Sequence, residues 1–426
     1  MRRKTVRRLA APLLVLALVG AACSNDDSDE TTSGTNSSQE QQQAAEPASS
    51  QTGASALRAG LTGLLTEHVY LAALATGSAL RGDTAGFEAY AAALNGPAES
   101  NTADLTAAIT SAYGNDVGKA FDGLWRSEGH IPAFVAYTQA VAAGDKAKAD
   151  KAVADLNAYA KTVGTTLNQV NSNLPAGAVE EMVKMHATSL KAVVDAQKAG
   201  DQTRVYTALR AAYGHMGEMA TVLADATAKK FPEKFGGDAN SPAASLRAGM
   251  TSLLREHVFL ASSATGAAIG GRQPQFQAAA AALNGPTNSN SADVVSAVTS
   301  VYGNEVGKAF DGLWRSEGHI PAFVAYTQGV ATGDKAKADK AVADLLAYAK
   351  TFGTTMNSVN ANLPAPAVEE AIKAHATTLK AVVDAQKAGS ATQVATTLRE
   401  AVHHMSDTAD VLAEATVKKF PEKFKA

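Results

Sequence analysis

The chain carries one sequence twice. Residues 57–235 align with residues 246–424 at a constant offset of 189 with no gap, and about seven in ten aligned positions are identical. Each copy is long enough to bury a core of its own. Whatever fold the first copy (57–235) adopts, the second copy (246–424) must adopt a closely similar one.

Apolar residues in each copy recur at steps of three and four, which is typical of amphipathic helices. Leu57 and Leu61 begin one such face, and alternating strand patterns are essentially absent. The pattern predicts an all-α fold of two tandem homologous helical bundles. It also predicts one helical stretch at 116–142, disturbed between Gly129 and Pro132. The predicted bundles are 55–235 and 245–426, joined by a short flexible linker at 236–244.

The N-terminus has the features of a secretion signal. Five Arg and Lys residues within the first eight positions precede an apolar stretch at 9–19, which is too short to span a bilayer. Small residues at 20–22 then lead to Cys23, the only cysteine of the chain. This segment resembles a bacterial lipoprotein signal. The resemblance implies that 1–23 is a signal segment, and that a lipid on Cys23 anchors the protein at the outer, extracytoplasmic face of the cell membrane.

Composition restricts the function further. Residues 24–54 are rich in Ser, Thr, Gln and acidic residues, which predicts a disordered tether. Five of the 38 Lys and Arg residues belong to the signal, so 33 remain against 41 Asp and Glu. This acidic excess argues against a nucleic-acid partner. The single cysteine excludes an intrachain disulfide, a thiolate zinc site and an iron–sulfur cluster held by this chain alone.

Histidines are the strongest indication of chemistry, because four recur at the same offset in both copies. In the first copy His68, His186 and His215 lie on apolar helix faces, and His130 lies at the Gly129–Pro132 irregularity. Interior imidazoles from different helices could bind copper, iron or zinc, or a haem. The predicted ligands are His68, His130, His186, His215, His257, His319, His375 and His404. The predicted hydrogen-bonding acids around them are Asp122, Glu218, Asp311 and Asp407.

Other interpretations of the histidines remain open at this level. They could satisfy hydrogen bonds in the core of a cell-surface interaction or scaffolding protein, whose protein partner the sequence does not identify. They could also make the bundle responsive to pH, since imidazoles titrate near pH 6.5. Enzymatic function is disfavoured, because HExxH, GxSxG and Walker A motifs are absent, as is the Glu-x-x-His pair of di-iron bundles.

Overall fold

Helices make up nearly all of the structure, a computed structural model that describes residues 48–126 and 129–425. The predicted signal segment 1–23, with Cys23, and most of the predicted tether 24–54 lie outside the described residues. Within the described ranges there is no β-strand, so the all-α prediction is confirmed. The helices of the first copy are α1 (Gly53–Leu80), α2 (Thr84–Asn95), α3 (Asn101–Tyr113), α4 (Asn115–Arg126), α5 (His130–Ala143), α6 (Lys146–Val170), α7 (Ala176–Ala199) and α8 (Gln202–Lys230).

The second copy has the same eight helices, and each begins and ends 189 residues after its counterpart. They are α9 (Pro242–Ile269), α10 (Gln273–Asn284), α11 (Asn290–Tyr302), α12 (Asn304–Arg315), α13 (His319–Thr332), α14 (Lys335–Val359), α15 (Ala365–Ala388) and α16 (Ala391–Lys419), followed by a short 3-10 turn at Pro421–Lys423. Local signals explain many of these bounds. Asp145 accepts a hydrogen bond from the Lys148 amide at the start of α6, and Gly144 ends α5 in the left-handed conformation.

The predicted continuous helix at 116–142 is instead two helices. Helix α4 ends at Arg126 and α5 begins at His130. Pro132 is the third residue of α5, where a missing backbone N–H breaks no helical hydrogen bond. The proline therefore starts a helix here and does not kink one. The same correction holds in the second copy, where α12 ends at Arg315 and α13 begins at His319.

Within the first copy α1 is the central helix. It packs against α8, α2, α7 and α5, while α7 lies between α6 and α8. The second copy repeats this arrangement around α9. Arg126 fixes the short helices: its guanidinium donates to the backbone carbonyls of Asn95 and Gly96 at the end of α2, 2.8 and 2.6 Å away. These contacts hold the end of α4 against the end of α2, and the ring centroid of Trp125, next to Arg126, lies 5.2 Å from that of His68 on α1.

The two copies pack directly on each other within residues 47–426. Helix α1 lies against α9, α2 against α16 and α8 against α10. Tyr70 of α1 stacks on Phe259 of α9 with ring centroids 4.5 Å apart, and these two residues occupy equivalent positions. The connection at 236–241 is also in contact with the fold, since Gly236 O accepts a hydrogen bond from the Ala54 amide. No helix in the described ranges is both long and apolar enough to cross a bilayer.

Buried ion pairs cross this contact in an almost two-fold pattern. Arg399 donates to Glu67, which is fully buried, at 2.6 Å. At the equivalent place Arg210 donates to Glu256 at 3.1 Å. The symmetry then breaks around Glu67. The guanidinium of Arg255 lies 2.6 Å from its carboxylate and the imidazole of His403 lies 3.0 Å from it, whereas the first copy has Thr66 and Gly214 at those two positions.

The pKa of Glu67 reflects these partners. Burial alone would raise the pKa of this carboxyl group, but the hydrogen bond with His403 and the charges of Arg255 and Arg399 outweigh burial and bring it to about 2. Glu67 is therefore a carboxylate at every physiological pH. Among the described residues, the side chains that pair with this charge of the first copy all belong to the second copy.

Candidate metal centre

Three of the four histidines in each copy converge. In the second copy one nitrogen from each of His257, His319 and His375 lies within 4.8 Å of the other two, a separation that a single metal ion can bridge. The ring centroids are 5.4, 5.7 and 6.3 Å apart. We refer to these residues as the second triad.

The first copy brings together the equivalent residues His68, His130 and His186, which we call the first triad, although among the described residues only the nitrogens of the second triad all lie within 4.8 Å of one another. The ring centroids of the first triad are 5.5, 5.6 and 6.5 Å apart, so its rings are as compact as those of the second triad to within a few tenths of an ångström. Helices α1, α5 and α7 supply one imidazole each. No single helix carries the site, so it exists only when the bundle is folded.

Aromatic rings form a wall around each triad. Trp314 meets the edges of His257 and His319 at centroid distances of 5.1 and 4.7 Å, and Tyr348 stacks on His319 at 5.3 Å. Trp125 and Tyr159 occupy the same places in the first copy. The wall excludes water from one side of the imidazoles and restricts how far the rings can turn.

The triad imidazoles are buried with nitrogens that lack hydrogen-bond partners. Among the described residues, neither ring nitrogen of His130 or His319 has a partner, and the Nδ1 atoms of the other triad members also lack one. Each such atom costs roughly 1–3 kcal/mol when it is buried without a partner. Two clusters of three buried rings, each with unpartnered nitrogens, are therefore unfavourable unless the nitrogens bind something.

Burial also keeps the imidazoles neutral. It lowers the pKa of His68, His130 and His186 to about 3 each, and repulsion between neighbouring imidazoles of the triad adds to this effect. In the second triad burial lowers the pKa of His257 to about 4.

Burial also lowers the pKa of the other two members of the second triad. The pKa of His375 falls to about 3 through burial and the neighbouring imidazoles, and that of His319 falls well below its ordinary value for the same reasons. Neutral imidazole is the form that binds a metal ion. At neutral pH the triads are ready to coordinate without releasing protons.

Each triad lies at the wall of an apolar cavity. The cavity of the first copy has a volume of about 320 Å³ and that of the second copy about 730 Å³. Besides the imidazoles the lining is mainly Ala, Leu, Ile, Val and Phe side chains, supplied by five helices of each copy. At its edge the second cavity reaches Val324, whose side chain is 42% exposed, so the site is connected to solvent.

The fourth histidine of each copy does not join its triad. The Nε2 atom of His215 lies 3.0 Å from the carbonyl oxygen of Met182, and that of His404 lies 3.1 Å from the carbonyl oxygen of Ala371. His404 lines a second cavity of about 200 Å³, which His319 and His375 also line. The Nε2 atom that donates to a main-chain carbonyl is not available as a ligand, and neither fourth histidine belongs to the group whose nitrogens lie within 4.8 Å of one another.

The four predicted acids lie away from the triad nitrogens. Asp122 accepts hydrogen bonds from Arg126 and Thr106, and Asp311 accepts one from Arg315. Glu218 is exposed and lies 3.8 Å from Nδ1 of His215, and Asp407 is exposed beside the cavity that His404 lines. Among the described residues none of the four hydrogen-bonds a triad imidazole.

A close backbone approach positions the ligand on α13. A β-carbon on Gly318 would lie 2.0 Å from Cδ2 of Tyr348, so only glycine lets the chain pass that ring and place His319 against it.

We expect Gly318→Ala to lower the free energy of unfolding by about 1–3 kcal/mol through overpacking. Urea denaturation measures this loss. In the control Gly312→Ala the nearest atom is a Glu317 carboxylate oxygen at 3.4 Å, and we expect no loss. Equal stability of the two variants would contradict the prediction.

Comparison with known proteins adds no further identification. No protein-family model, no curated protein and no solved structure matches this chain.

Proposed function

We propose that each copy binds one transition-metal ion through its histidine triad. The observation that carries this proposal is the convergence of His257, His319 and His375 on one point, with both ring nitrogens of His319 and the Nδ1 atoms of the other two buried and without partners. Three neutral nitrogen ligands with no carboxylate or thiolate suit copper, zinc or iron. A purely structural role for the histidines would require partners for those nitrogens in the core.

The geometry supports a bare ion better than a haem. A haem iron takes at most two axial ligands from the protein, one on each face of the porphyrin. Three imidazoles that meet at one point exceed that number and leave no room for a macrocycle between them. With three protein ligands the ion keeps at least one open position, as in sites that exchange a bound ligand.

The biological role we propose is sequestration, delivery or sensing of the metal outside the cell membrane, where the lipoprotein-like signal would place the chain. Two sites on one tether would double the capacity at a fixed point on the surface. Lipid attachment at Cys23 and this location are themselves proposals that rest on the resemblance of residues 1–23.

Metal stoichiometry tests the proposal. The full chain, produced without a histidine tag and stripped with a chelator, should bind two Zn²⁺ or Cu²⁺ ions per chain in a calorimetric titration. His319→Ala should reduce this to one, because the remaining two imidazoles bind at least about 100-fold more weakly, or about 2.7 kcal/mol. The double variant His130→Ala, His319→Ala should bind none tightly.

His404→Ala is the matched control. This histidine lies in the same copy, but its Nε2 atom is hydrogen-bonded to the carbonyl oxygen of Ala371. It should leave two ions bound. A stoichiometry that His319→Ala does not change, or that His404→Ala lowers equally, would refute the triad as the site.

A further inference from the structure

The cavity beside each triad points to a second ligand, and this inference rests on the proposed function. We propose that the metal of each copy also binds a small, mostly apolar molecule through one anionic donor atom, and that the apolar cavity holds the body of this molecule. The chemical class is an aryl or alkyl carboxylate, thiolate or phenolate.

The residues that line the cavity are retained between the two copies. Twenty-two equivalent positions line both cavities, and twenty-one carry the same residue, the exception being Val183 and Ile372. Across the copies as a whole only about seven in ten positions agree. In α2 and α10 five of the twelve positions differ, yet every position that lines both cavities is unchanged.

Burial alone does not explain this retention. On α1 the fully buried Tyr70 has become Phe259 in α9, and the buried Leu61 and Ala73 have also changed. Those side chains face elsewhere, whereas His68, Ala72, Ala75, Thr76 and Ala79 of the same helix line the cavity and are all retained. The two copies have diverged within the core and stayed alike around the cavity.

The size and polarity of the two cavities indicate the kind of ligand that they could hold. Volumes of about 320 and 730 Å³ fall in the range of small-molecule sites, which are typically apolar with a few convergent polar groups. Here the polar groups are the three imidazoles and a few Thr, Asn and Gln side chains. The mainly apolar walls match the body of an organic ligand and offer few hydrogen bonds to a strongly polar one.

The described lining of the cavities carries no charge that could balance a bound metal ion. Among the described residues that line either cavity there is no Lys, Arg, Asp or Glu. A divalent ion held by three neutral imidazoles would keep both of its positive charges in apolar surroundings, which is costly. An anionic donor in the open position would neutralise part of that charge, and the apolar cavity would then favour a donor attached to an apolar group.

Cobalt makes the ligand visible, because the d–d absorption of Co²⁺ responds to a change in its ligands. With the cobalt-loaded full chain as the sample, benzoate should change the spectrum at a concentration at least tenfold lower than acetate, which offers the same donor without the ring. Benzamide, which has the ring without the charge, should also bind at least tenfold more weakly than benzoate.

Variants on helices without triad histidines locate the effect. Leucine in place of Ala91 and of Ala280, both of which line the cavities, should weaken benzoate at least tenfold and leave acetate and cobalt binding within twofold. The matched control places leucine at Glu88 and Gln277, exposed positions of the same helices that line neither cavity, and should change nothing.

The outcomes separate the two proposals. If cobalt does not bind, both the proposed function and this inference fail. If cobalt binds but benzoate is no tighter than acetate or benzamide, only this inference fails. That comparison uses the unsubstituted protein, so it decides the matter even if the leucine variants do not fold. Equal weakening by the cavity and control variants would also overturn the assignment to the cavity.

Discussion

The metal-free protein should lose its helical fold as the pH falls from about 6.5 towards 4. In the folded state burial holds the pKa of five triad imidazoles at about 3 to 4 and that of His319 well below its ordinary value, whereas in the unfolded chain each pKa lies near 6.5. At a pH between the folded and unfolded pKa values, the unfolded chain binds protons that the folded state does not bind. Acid therefore favours unfolding, and the stability is fully present above pH 6.5.

The expected effect is large because six imidazoles act together. At pH 5 each contributes a loss on the order of 2 kcal/mol, so the six approach the whole stability of a typical domain, about 5–15 kcal/mol. Glu67 acts in a different window: its carboxylate stabilises the fold above pH 4.5, and this contribution is lost only as the pH falls towards 2. The acid transition above pH 4.5 thus reports the imidazoles.

Circular dichroism during urea unfolding at several pH values measures the effect. A variant with leucine at His257, His319 and His375 should lower the proton uptake on unfolding at pH 5 by about three, because three titrating groups are gone. Saturating Zn²⁺ should shift the acid transition of the unsubstituted protein to lower pH, since the ion competes with protons. An acid transition that neither change affects would show that the triads are not its cause.

Removal of the Glu67 carboxylate should be the most destabilising single substitution among the contacts between the copies. Glu67→Ala leaves the guanidinium of Arg255 buried without its carboxylate and removes the carboxylate from His403, while Arg399 keeps its pair with Asp104. Breaking a buried ion pair from one side typically costs about 3–5 kcal/mol. Urea denaturation at pH 7 should show a loss of this size.

Glu256→Ala is the matched control, because Glu256 holds one guanidinium where Glu67 holds two, and that guanidinium, of Arg210, keeps its contact with Asp293. Its loss should be smaller. Asp339→Ala, which removes an exposed pair with Lys335, should cost less than about 1 kcal/mol. Adding Arg255→Thr to Glu67→Ala should restore part of the stability, since it removes the uncompensated charge. Equal losses for Glu67→Ala and Glu256→Ala would contradict this account.

Local patterns predicted the helices well because helix periodicity, caps and glycine stops are properties of neighbouring residues. They also placed His68 and His186 on interior faces. They did not distinguish these from His215, which lies on an equally apolar face but donates to the carbonyl of Met182. That difference depends on how α8 is rotated against α7, which periodicity along one helix does not specify.

The remaining features depend on contacts distant in sequence. Tyr348 reaches His319 only because Gly318 has no side chain, and Glu67 meets His403 across 336 residues. One signal for the cavity was nevertheless present: residues 117–139 recur without change at 306–328, and this run holds the α5 histidine and much of the lining. The unchanged run was visible, but only the folded arrangement showed which of its side chains share a cavity.

The unequal surroundings of Glu67 and Glu256 have a consequence for assembly. In a symmetric dimer of separate identical chains every substitution appears twice. An arginine added beside one carboxylate is therefore also added beside the equivalent carboxylate of the other chain. Joining both halves in one polypeptide removes that constraint. Arg255 and His403 add charged contacts at Glu67 and none at Glu256. Each half should therefore bind the other half more tightly than it would bind a second copy of itself.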